Sequence, residues 1–368
     1  MPKIYEIFGY PVSDRSSTAE SNRKKAWCPF MDAPCDGGGN RYLSHIDTSK
    51  DPYLKEYFKS KSKIPSGVCS IQLHKNESPW IVCPRRLLCL GRDDSGQRKN
   101  QGFAEALLLK KCPYPIGTKL GVWSEMKIKY SQSDKMRTKH FDYTFDYIIM
   151  PVSQVEGETL SQLLNEPWNK LRKTLEEAGY SLSKRNGKDF VEAFPTGIPT
   201  IVEIMTSSTS GGNQKKRSTI PMAFADAIKG IDHMAPGINY RQVWARMVSQ
   251  LIVKSEVALE WGGNTIWILQ DKLIDYISNS TALDIHAFLS EKLSEVNILG
   301  LSYGDSFTPK SGVIELREGV LFAGPIGPKF SVVAEKSFQD MVKAPICPPK
   351  ELLLKLLAKR NPTRIITA

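Results

Sequence analysis

The stretch IPTIVEI at residues 198–204 constrains the fold most, because it is a short apolar run that contains a single carboxylate, Glu203. Runs of this length that are rich in Ile and Val predict a strand buried on both faces. An ionised carboxylate in such a strand is costly unless it is paired or binds a metal ion. The sequence therefore predicts a charged partner or a ligand role for Glu203.

Patterns typical of helices and strands alternate along the chain after residue 95. A polar turn separates the first two predicted strands, so we expect them to form a hairpin. The sequence predicts an α/β fold, a mixed central sheet flanked by helices. Periodic apolar residues predict helices at 101–112, 159–180, 219–231 and 240–261, and strand patterns lie at 119–130, 141–152 and 264–269.

The polar stretch DDSGQRKN at residues 93–100 is typical of a linker. We therefore expect two domains, at residues 1–95 and 96–368, which is consistent with the chain length. No apolar run approaches the roughly 20 residues needed to cross a bilayer, and the N-terminus lacks the pattern of a signal peptide. These features predict a cytoplasmic protein that makes no use of a membrane.

Basic residues exceed acidic residues, with 50 Lys and Arg against 39 Asp and Glu and a net charge of +11. Basic clusters occur at residues 23–25, 84–86 and 215–217. Any single cluster is usually solvated surface. Several clusters in one chain favour a polyanionic partner, and nucleic acid is the candidate we expect.

Four of the seven cysteines lie in the first 83 residues, beside turn-forming residues: Cys28, Cys35, Cys69 and Cys83. Disulfides are not expected in a cytoplasmic protein. The four residues are compatible with a tetrahedral thiolate site for a metal ion. Because none of the pairs has the close C-x-x-C spacing, buried free cysteines remain an equal alternative.

Acidic residues recur on three consecutive predicted strands, as Glu125, Asp146 and Glu203. Adjacent strands can bring such groups to one end of a sheet, where carboxylates coordinate Mg²⁺ and leave room for water and a phosphate oxygen. For Glu125 alone, a half-exposed strand carboxylate is the simpler interpretation. For Glu203 it is not, because the neighbouring residues are too apolar.

These residues resemble the active-site pattern of the PD-(D/E)XK nucleases, with TFDYII and IVEIMTSS as its two halves. The cysteine region, with CPF, GVC and WIVCPRR, is similar to the NotI-type restriction endonucleases within that superfamily. The helix SQLIVKSEVAL, which carries Gln250 and Lys254, resembles the same family. The resemblance covers most of residues 5–280.

The resemblance implies a homodimeric type II restriction endonuclease of a restriction-modification system. Such an enzyme cleaves double-stranded DNA at a palindromic, GC-rich site and depends on Mg²⁺. Asp146 and Glu203 match the metal-binding carboxylates, and Glu125 matches a further strand carboxylate. The implied N-terminal domain holds iron, or zinc, through the four matching cysteines, which are Cys28, Cys35, Cys69 and Cys83.

Two features depart from the family pattern. Met205 occupies the position of the motif lysine, and the interval between Asp146 and Glu203 is longer than in the family. We expect Lys254, one helical turn from Gln250, to supply the missing cation, although a lysine on an amphipathic helix is most often solvated. The alternatives are a catalytically degenerate DNA-binding protein, for which Met205 argues, and an RNA-processing enzyme with a thiolate metal site.

Overall fold

A mixed sheet and its helices form the core of the chain. The computed structural model describes residues 1–38, 45–59, 61–90, 101–133, 137–281, 283–307, 311–326 and 346–368. The strands are β1 Lys3–Ile7, β2 Tyr10–Pro11, β3 Trp27–Cys28, β4 Ala33–Pro34, β5 His45–Asp47, β6 Lys63–Pro65, β7 Val68–Gln72, β8 Trp80–Ile81, β9 Lys119–Ser133, β10 Thr138–Glu156, β11 Leu182–Arg185, β12 Lys188–Pro195, β13 Thr200–Met205, β14 Asn264–Gln270, β15 Val296–Ser302, β16 Glu318–Gly324 and β17 Arg364–Thr367. The helices are α1 Ser17–Lys25, α2 Pro52–Tyr57, α3 Pro84–Leu87, α4 Gly102–Lys111, α5 Gly157–Leu164, α6 Trp168–Glu177, α7 Ile220–Lys229, α8 Tyr240–Glu260, α9 Asp271–Ser280 and α10 Lys350–Ala358.

The central sheet contains nine strands within the described residues, in the order β11-β12-β10-β13-β14-β15-β16, with β9 paired to β10 and β17 paired to β9. β9 and β10 form the expected antiparallel hairpin. β13 runs antiparallel to β10 and parallel to β14, so the sheet is mixed, as predicted. Helices cover both of its faces, with α5, α6, α8 and α10 on one and α4 on the other.

The strand pattern around Glu203 is confirmed. β13 is buried along its first four residues, and all seven residues of the neighbouring β14 are buried. A parallel pair covered on both faces has no solvent-facing side, which explains its continuous apolar sequence. Glu203 therefore lies in the interior of the molecule, 2% exposed.

The expected single helix at 159–180 is wrong, because the structure has two helices, α5 and α6, with a break between them. Asn165 ends the first helix in the left-handed region, with φ of 46°. Pro167 caps the second helix and, without a backbone N–H, cannot continue the hydrogen-bond ladder of the first. The helices predicted at 101–112, 219–231 and 240–261 are confirmed with small changes at their ends.

The N-terminal residues form a small sheet, β2-β1-β7-β8, that packs against the rest of the chain. Ile4 and Phe8 belong to the same buried cluster as Phe224 and Trp267. Gln270 at the end of β14 accepts a 2.8 Å hydrogen bond from the backbone of Ile81. The proposed linker at 93–100 and the boundary at residue 95 lie outside the described residues.

Two of the basic clusters were expected on the surface, and the structure corrects this for one arginine in each. Arg23 and Arg86 are buried, and they form ion pairs with Glu20 and Glu6. Glu6 is distant in the sequence from Arg86, and Glu20 lies one helical turn before Arg23. Neither position in the sequence indicates that the arginine is buried.

Within the described part of the chain, no helix has both the length and the apolar character needed to cross a bilayer.

Candidate functional site

Two carboxylates face each other where β10 and β13 separate. Tyr147 pairs with Val202, so the register places Asp146 directly opposite Glu203. Each carboxylate accepts a backbone hydrogen bond from the other strand, from Asp146 N–H to Glu203 Oε1 at 3.4 Å and from Ile204 N–H to Asp146 Oδ2 at 2.8 Å. The strand pairing therefore brings together the two acidic residues that the sequence selected.

Lys254 supplies a cation to this pair from helix α8. Its ammonium nitrogen lies 2.5 Å from Glu203 Oε2 and donates to the carbonyl of Thr144 at 2.8 Å. The aromatic rings of Phe145 and Trp267 lie 5.4 Å and 6.0 Å from the same nitrogen. Lys254 is 2% exposed, so the solvated alternative is wrong, and the buried charge is held by a carboxylate, a carbonyl and two ring faces.

Burial dominates the electrostatics of the two carboxylates. It raises the pKa of Glu203 to about 8, although the Lys254 ammonium opposes the rise. It also raises the pKa of Asp146, against the opposing charge of Lys254 and the hydrogen bond from Ile204. The charge of Asp146 also contributes to the raised pKa of Glu203, so the two acids repel each other when both are ionised and the site favours binding of further positive charge.

A cavity of about 790 Å³ opens above the carboxylates and is large enough for a substrate group. One face of α8 lines it, because Val243, Arg246, Gln250 and Lys254 follow one another at intervals of three or four residues. Met205, at the position of the motif lysine, also lines the cavity. The hydroxyl-bearing residues 206–209 continue the wall, and Cys83, Pro84 and the turn 37–38 close another side.

Glu125 differs from Asp146 and Glu203 because it does not line the cavity. It lies opposite Asp146 on β9, between the pairs Phe145 with Met126 and Tyr147 with Ser124. Its carboxylate is half-exposed and accepts a 2.7 Å ion-paired hydrogen bond from Arg85. Glu125 is thus a neighbour of the site without lining the cavity. In the sequence, Arg85 stands out only as part of the basic cluster at residues 84–86.

The four N-terminal cysteines surround one small cavity of about 20 Å³. Cys28 precedes the turn between β3 and β4, and Cys35 follows that hairpin. Cys69 on β7 and Cys83 after β8 are adjacent, because the Cys69 carbonyl accepts hydrogen bonds from the backbone of residues 82 and 83. Residues far apart in sequence are therefore brought to one point by two hairpins.

Backbone N–H groups are directed at the cysteine sulfurs. Gly9 donates to Cys69 Sγ at 3.3 Å and Gly37 donates to Cys35 Sγ at 3.4 Å. Gly9 has φ of 81°, and a Cβ at this position would lie 2.3 Å from Pro29. Only glycine allows this close approach. Backbone groups of residues 30 and 31 likewise donate to Cys28, and those of residues 85 and 86 to Cys83.

The thiols differ in acidity. Burial raises the pKa of Cys28 and brings that of Cys35 to about 12. The Cys69 thiol donates to Cys83, which raises the pKa of Cys69 and lowers that of Cys83. Within the described residues, the His, Cys, Asp and Glu side chains as placed form no group of three or more that could hold a metal ion.

The third basic cluster lies on the loop that follows β13. Lys215 and Lys216 are exposed, whereas Arg217 forms a two-point ion pair with Asp226 of α7. The exposed part of this loop therefore carries two cations beyond the hydroxyl-lined wall of the cavity.

Comparison of the chain with protein-family models, with curated proteins and with solved structures gave no match.

Proposed function

We propose that the chain is a Mg²⁺-dependent endonuclease that hydrolyses phosphodiester bonds in double-stranded DNA. The observation that carries this proposal is the pair Asp146 and Glu203, opposed on neighbouring strands with the Lys254 ammonium against Glu203. Two carboxylates and a lysine, on a hairpin plus an adjoining strand, are the PD-(D/E)XK pattern, here with the lysine supplied by a helix. Lys254 supplies a cation that Met205 cannot, which supports an active site over the degenerate alternative.

The donor set fits Mg²⁺, which prefers carboxylate oxygens and retains several water ligands. Asp146 and Glu203 would hold the ion, and the cavity of about 790 Å³ leaves space for water and a phosphate group. A bound Mg²⁺ would supply an activated water and stabilise charge on the phosphate oxygens. The raised pKa values of both carboxyls are consistent with a site that gains by binding a cation.

The protein's own residues would bind and orient the phosphate. Within the described residues, two of the three N–H donors of Lys254 form hydrogen bonds, to Glu203 and to Thr144. The third donor would bind a phosphate oxygen. Arg246 is exposed on the same face of α8, two helical turns from Lys254. Residues 206–209 add hydroxyl donors. These groups would contact the DNA backbone, which fixes orientation without reading the sequence.

We propose that Cys28, Cys35, Cys69 and Cys83 bind one iron or zinc ion. Four thiolates are the donor set for a tetrahedral site of either metal. The support is their common cavity and the backbone N–H groups directed at each sulfur, which stabilise thiolates. Ion binding would require loss of the thiol protons, and small movements of the side chains would bring the sulfurs to bonding distance.

The family resemblance alone supports the finer parts of the proposal. These are a palindromic, GC-rich recognition site and a homodimer in which each subunit cleaves one strand. The basic charge of the chain supports a nucleic acid partner in general. An RNA-processing enzyme shares that charge and the cysteines, so the substrate must be tested directly.

The proposal is tested by incubating the protein with phage DNA and, in parallel, with structured RNA, each in the presence of Mg²⁺ or of EDTA. We expect discrete fragments with Mg²⁺ and intact DNA with EDTA, because cleavage would depend on the ion at Asp146 and Glu203. A mobility shift without fragments would indicate a DNA-binding protein instead. Cleavage of structured RNA but not of DNA would indicate the RNA-processing alternative.

A further inference from the structure

Arg85 lies between the cysteine cluster and the carboxylate site. Its Nε donates to Asp36, the residue after Cys35, at 3.0 Å. Its Nη2 donates to Glu125, opposite Asp146, at 2.7 Å. One guanidinium therefore joins the loop of the cysteine cluster to the strand that faces the catalytic carboxylate. The rigid fork of arginine suits this bridging better than the point charge of a lysine.

Two further groups of Arg85 are held in place, its backbone carbonyl and the third nitrogen of its guanidinium. Gln101 donates to the carbonyl of Arg85 at 2.8 Å and accepts from the backbone of Cys89. Nη1 of Arg85 lies 3.4 Å from the hydroxyl of Tyr147, the residue next to Asp146. The side chain is only 16% exposed. Arg85 is therefore fixed at its backbone and at each nitrogen of its fork.

The strand that Arg85 contacts is irregular at this point. Glu125 has φ of 51°, a left-handed conformation that is uncommon for a residue other than glycine. Regular pairing with β10 resumes on both sides, at Ser124 and Met126. A strained position of this kind persists only where its surroundings hold it. The ion pair to Arg85 is such a restraint, and it lies directly beside Asp146.

We propose that Arg85 is a positioning residue that couples the cysteine cluster to the metal-binding carboxylates through Glu125. This inference rests on the proposed function. When Asp36 and Cys83 are held in the folded cluster, Arg85 fixes Glu125 and the backbone around Asp146 in the geometry that binds the ion. Loss of the bridge releases Glu125 and weakens ion binding, although neither Arg85 nor Asp36 touches the ion.

The experiment measures Mn²⁺ binding to the DNA-free protein by electron paramagnetic resonance, with Mn²⁺ as the probe for the Mg²⁺ site. Arg85→Gln and Glu125→Gln should each raise the dissociation constant about tenfold, the low end for partners that orient ligands. The double variant should also show about tenfold, because both changes break one interaction. Asp36→Asn should give a smaller change in the same direction.

Arg364→Gln is the matched control. Arg364 is also largely buried, and it forms a 2.7 Å ion pair with Glu105, away from the cavity. We expect its Mn²⁺ affinity to stay within about twofold of the parent. Iron and zinc content is measured in every variant, and Arg85→Gln should retain the content of the parent, which a variant with a misfolded cluster would not.

The outcomes separate the two proposals. Independent effects, with a double variant weakened about a hundredfold, would overturn the coupling, and so would an Arg85→Gln affinity equal to that of Arg364→Gln. Either result would leave the nuclease proposal standing if the parent binds Mn²⁺ and cleaves DNA. A parent that binds no Mn²⁺ would count against the proposed metal site itself.

Discussion

The carboxylate site and the cysteine cluster are built in opposite ways. Asp146 and Glu203 are positioned by the register of two core strands, and each accepts a backbone hydrogen bond from the other strand. The cysteines are positioned by short hairpins and by turns with positive φ, such as Gly9 and Gly37. The sheet supplies the framework of the carboxylate site. The cysteines are held by short hairpins and turns, which a bound ion would link further.

The carboxylate site and the cysteine cluster also differ in how their buried charge is compensated. The carboxylate pair contains a resident cation, the Lys254 ammonium, which partly compensates the buried acids before any metal binds. Burial favours the protonated thiols of Cys28 and Cys35. We therefore expect metal removal to leave the carboxylate site folded and to loosen the cysteine region.

The largest expected effect follows from this difference and concerns Cys69. Cys69→Ser should abolish iron or zinc binding and lower the melting temperature by more than about 10 °C, because formation of the site and folding of the surrounding region are coupled. Removal of Mg²⁺ by dialysis into Mg²⁺-free buffer without a chelator should change the melting temperature much less. Differential scanning calorimetry with metal analysis measures both. If native protein contains neither iron nor zinc, the four cysteines are buried free thiols and the proposed metal site is wrong.

The second prediction concerns Lys254. Lys254→Met should lower the single-turnover cleavage rate about a hundredfold or more, since it removes a charge-stabilising group from the site. Above about pH 8, where Glu203 is ionised, it should also destabilise the fold by about 3 kcal/mol, because the buried carboxylate loses its charged partner. A solvated lysine would contribute little to stability, and the burial of Lys254 is the reason for the larger expected effect.

A double variant separates these two effects. In Lys254→Met combined with Glu203→Gln, neither side chain is charged, so most of the lost stability should return while cleavage stays absent. A cleavage rate of Lys254→Met within about threefold of the parent would exclude Lys254 as the catalytic cation. Lys215 and Lys216 would then be the next candidates.

The third prediction uses the pKa of Glu203. Because this pKa is raised from 4.5 to about 8 in the fold, the stability it contributes is complete below about pH 4.5 and is lost as the pH rises through about 8. In EDTA, the melting temperature of the parent relative to Glu203→Gln should therefore fall by at least about 2 °C between pH 5 and pH 8. A difference that is constant with pH would show that Glu203 is ionised throughout.

The smallest effect is expected for Arg246. Arg246→Ala should reduce the slope of the DNA-binding constant against salt concentration by about one, because one phosphate contact is lost. Arg241→Ala is the control, since Arg241 is exposed on the same helix but does not line the cavity. Equal slopes for the two variants would remove Arg246 from the DNA-binding surface. Fluorescence anisotropy at several salt concentrations provides the measurement.

The sequence predicted the parts of the site that depend on local pattern. Glu203 in an apolar strand, Asp146 on the preceding hairpin and the helix of Lys254 all follow from periodicity and composition. The break before α6 was not predicted, although Pro167 marks it in the local sequence, because proline cannot extend a helix. These features depend on residues close together in the chain, so the local sequence is sufficient to predict them.

The parts that were missed depend on distant partners. Arg86 appeared to be a surface cation, and it is buried because Glu6, 80 residues away, accepts its hydrogen bonds. The bridge from Arg85 to Glu125 is of the same kind, with 40 residues between the two. Nothing in the local pattern distinguishes these arginines from solvated ones. Pairing at such separations is decided by the fold as a whole.

The central claim is that Asp146 and Glu203 form a Mg²⁺-dependent hydrolytic site. The most direct measurement is parallel digestion of phage DNA by the parent, Asp146→Asn, Glu203→Gln and Glu192→Gln, whose half-buried carboxylate lies on β12 outside the cavity. We expect Mg²⁺-dependent fragments from the parent and from Glu192→Gln. We expect none from Asp146→Asn or Glu203→Gln, although both should still bind DNA through distant phosphate contacts. Parental fragments from either of these two variants would contradict the claim.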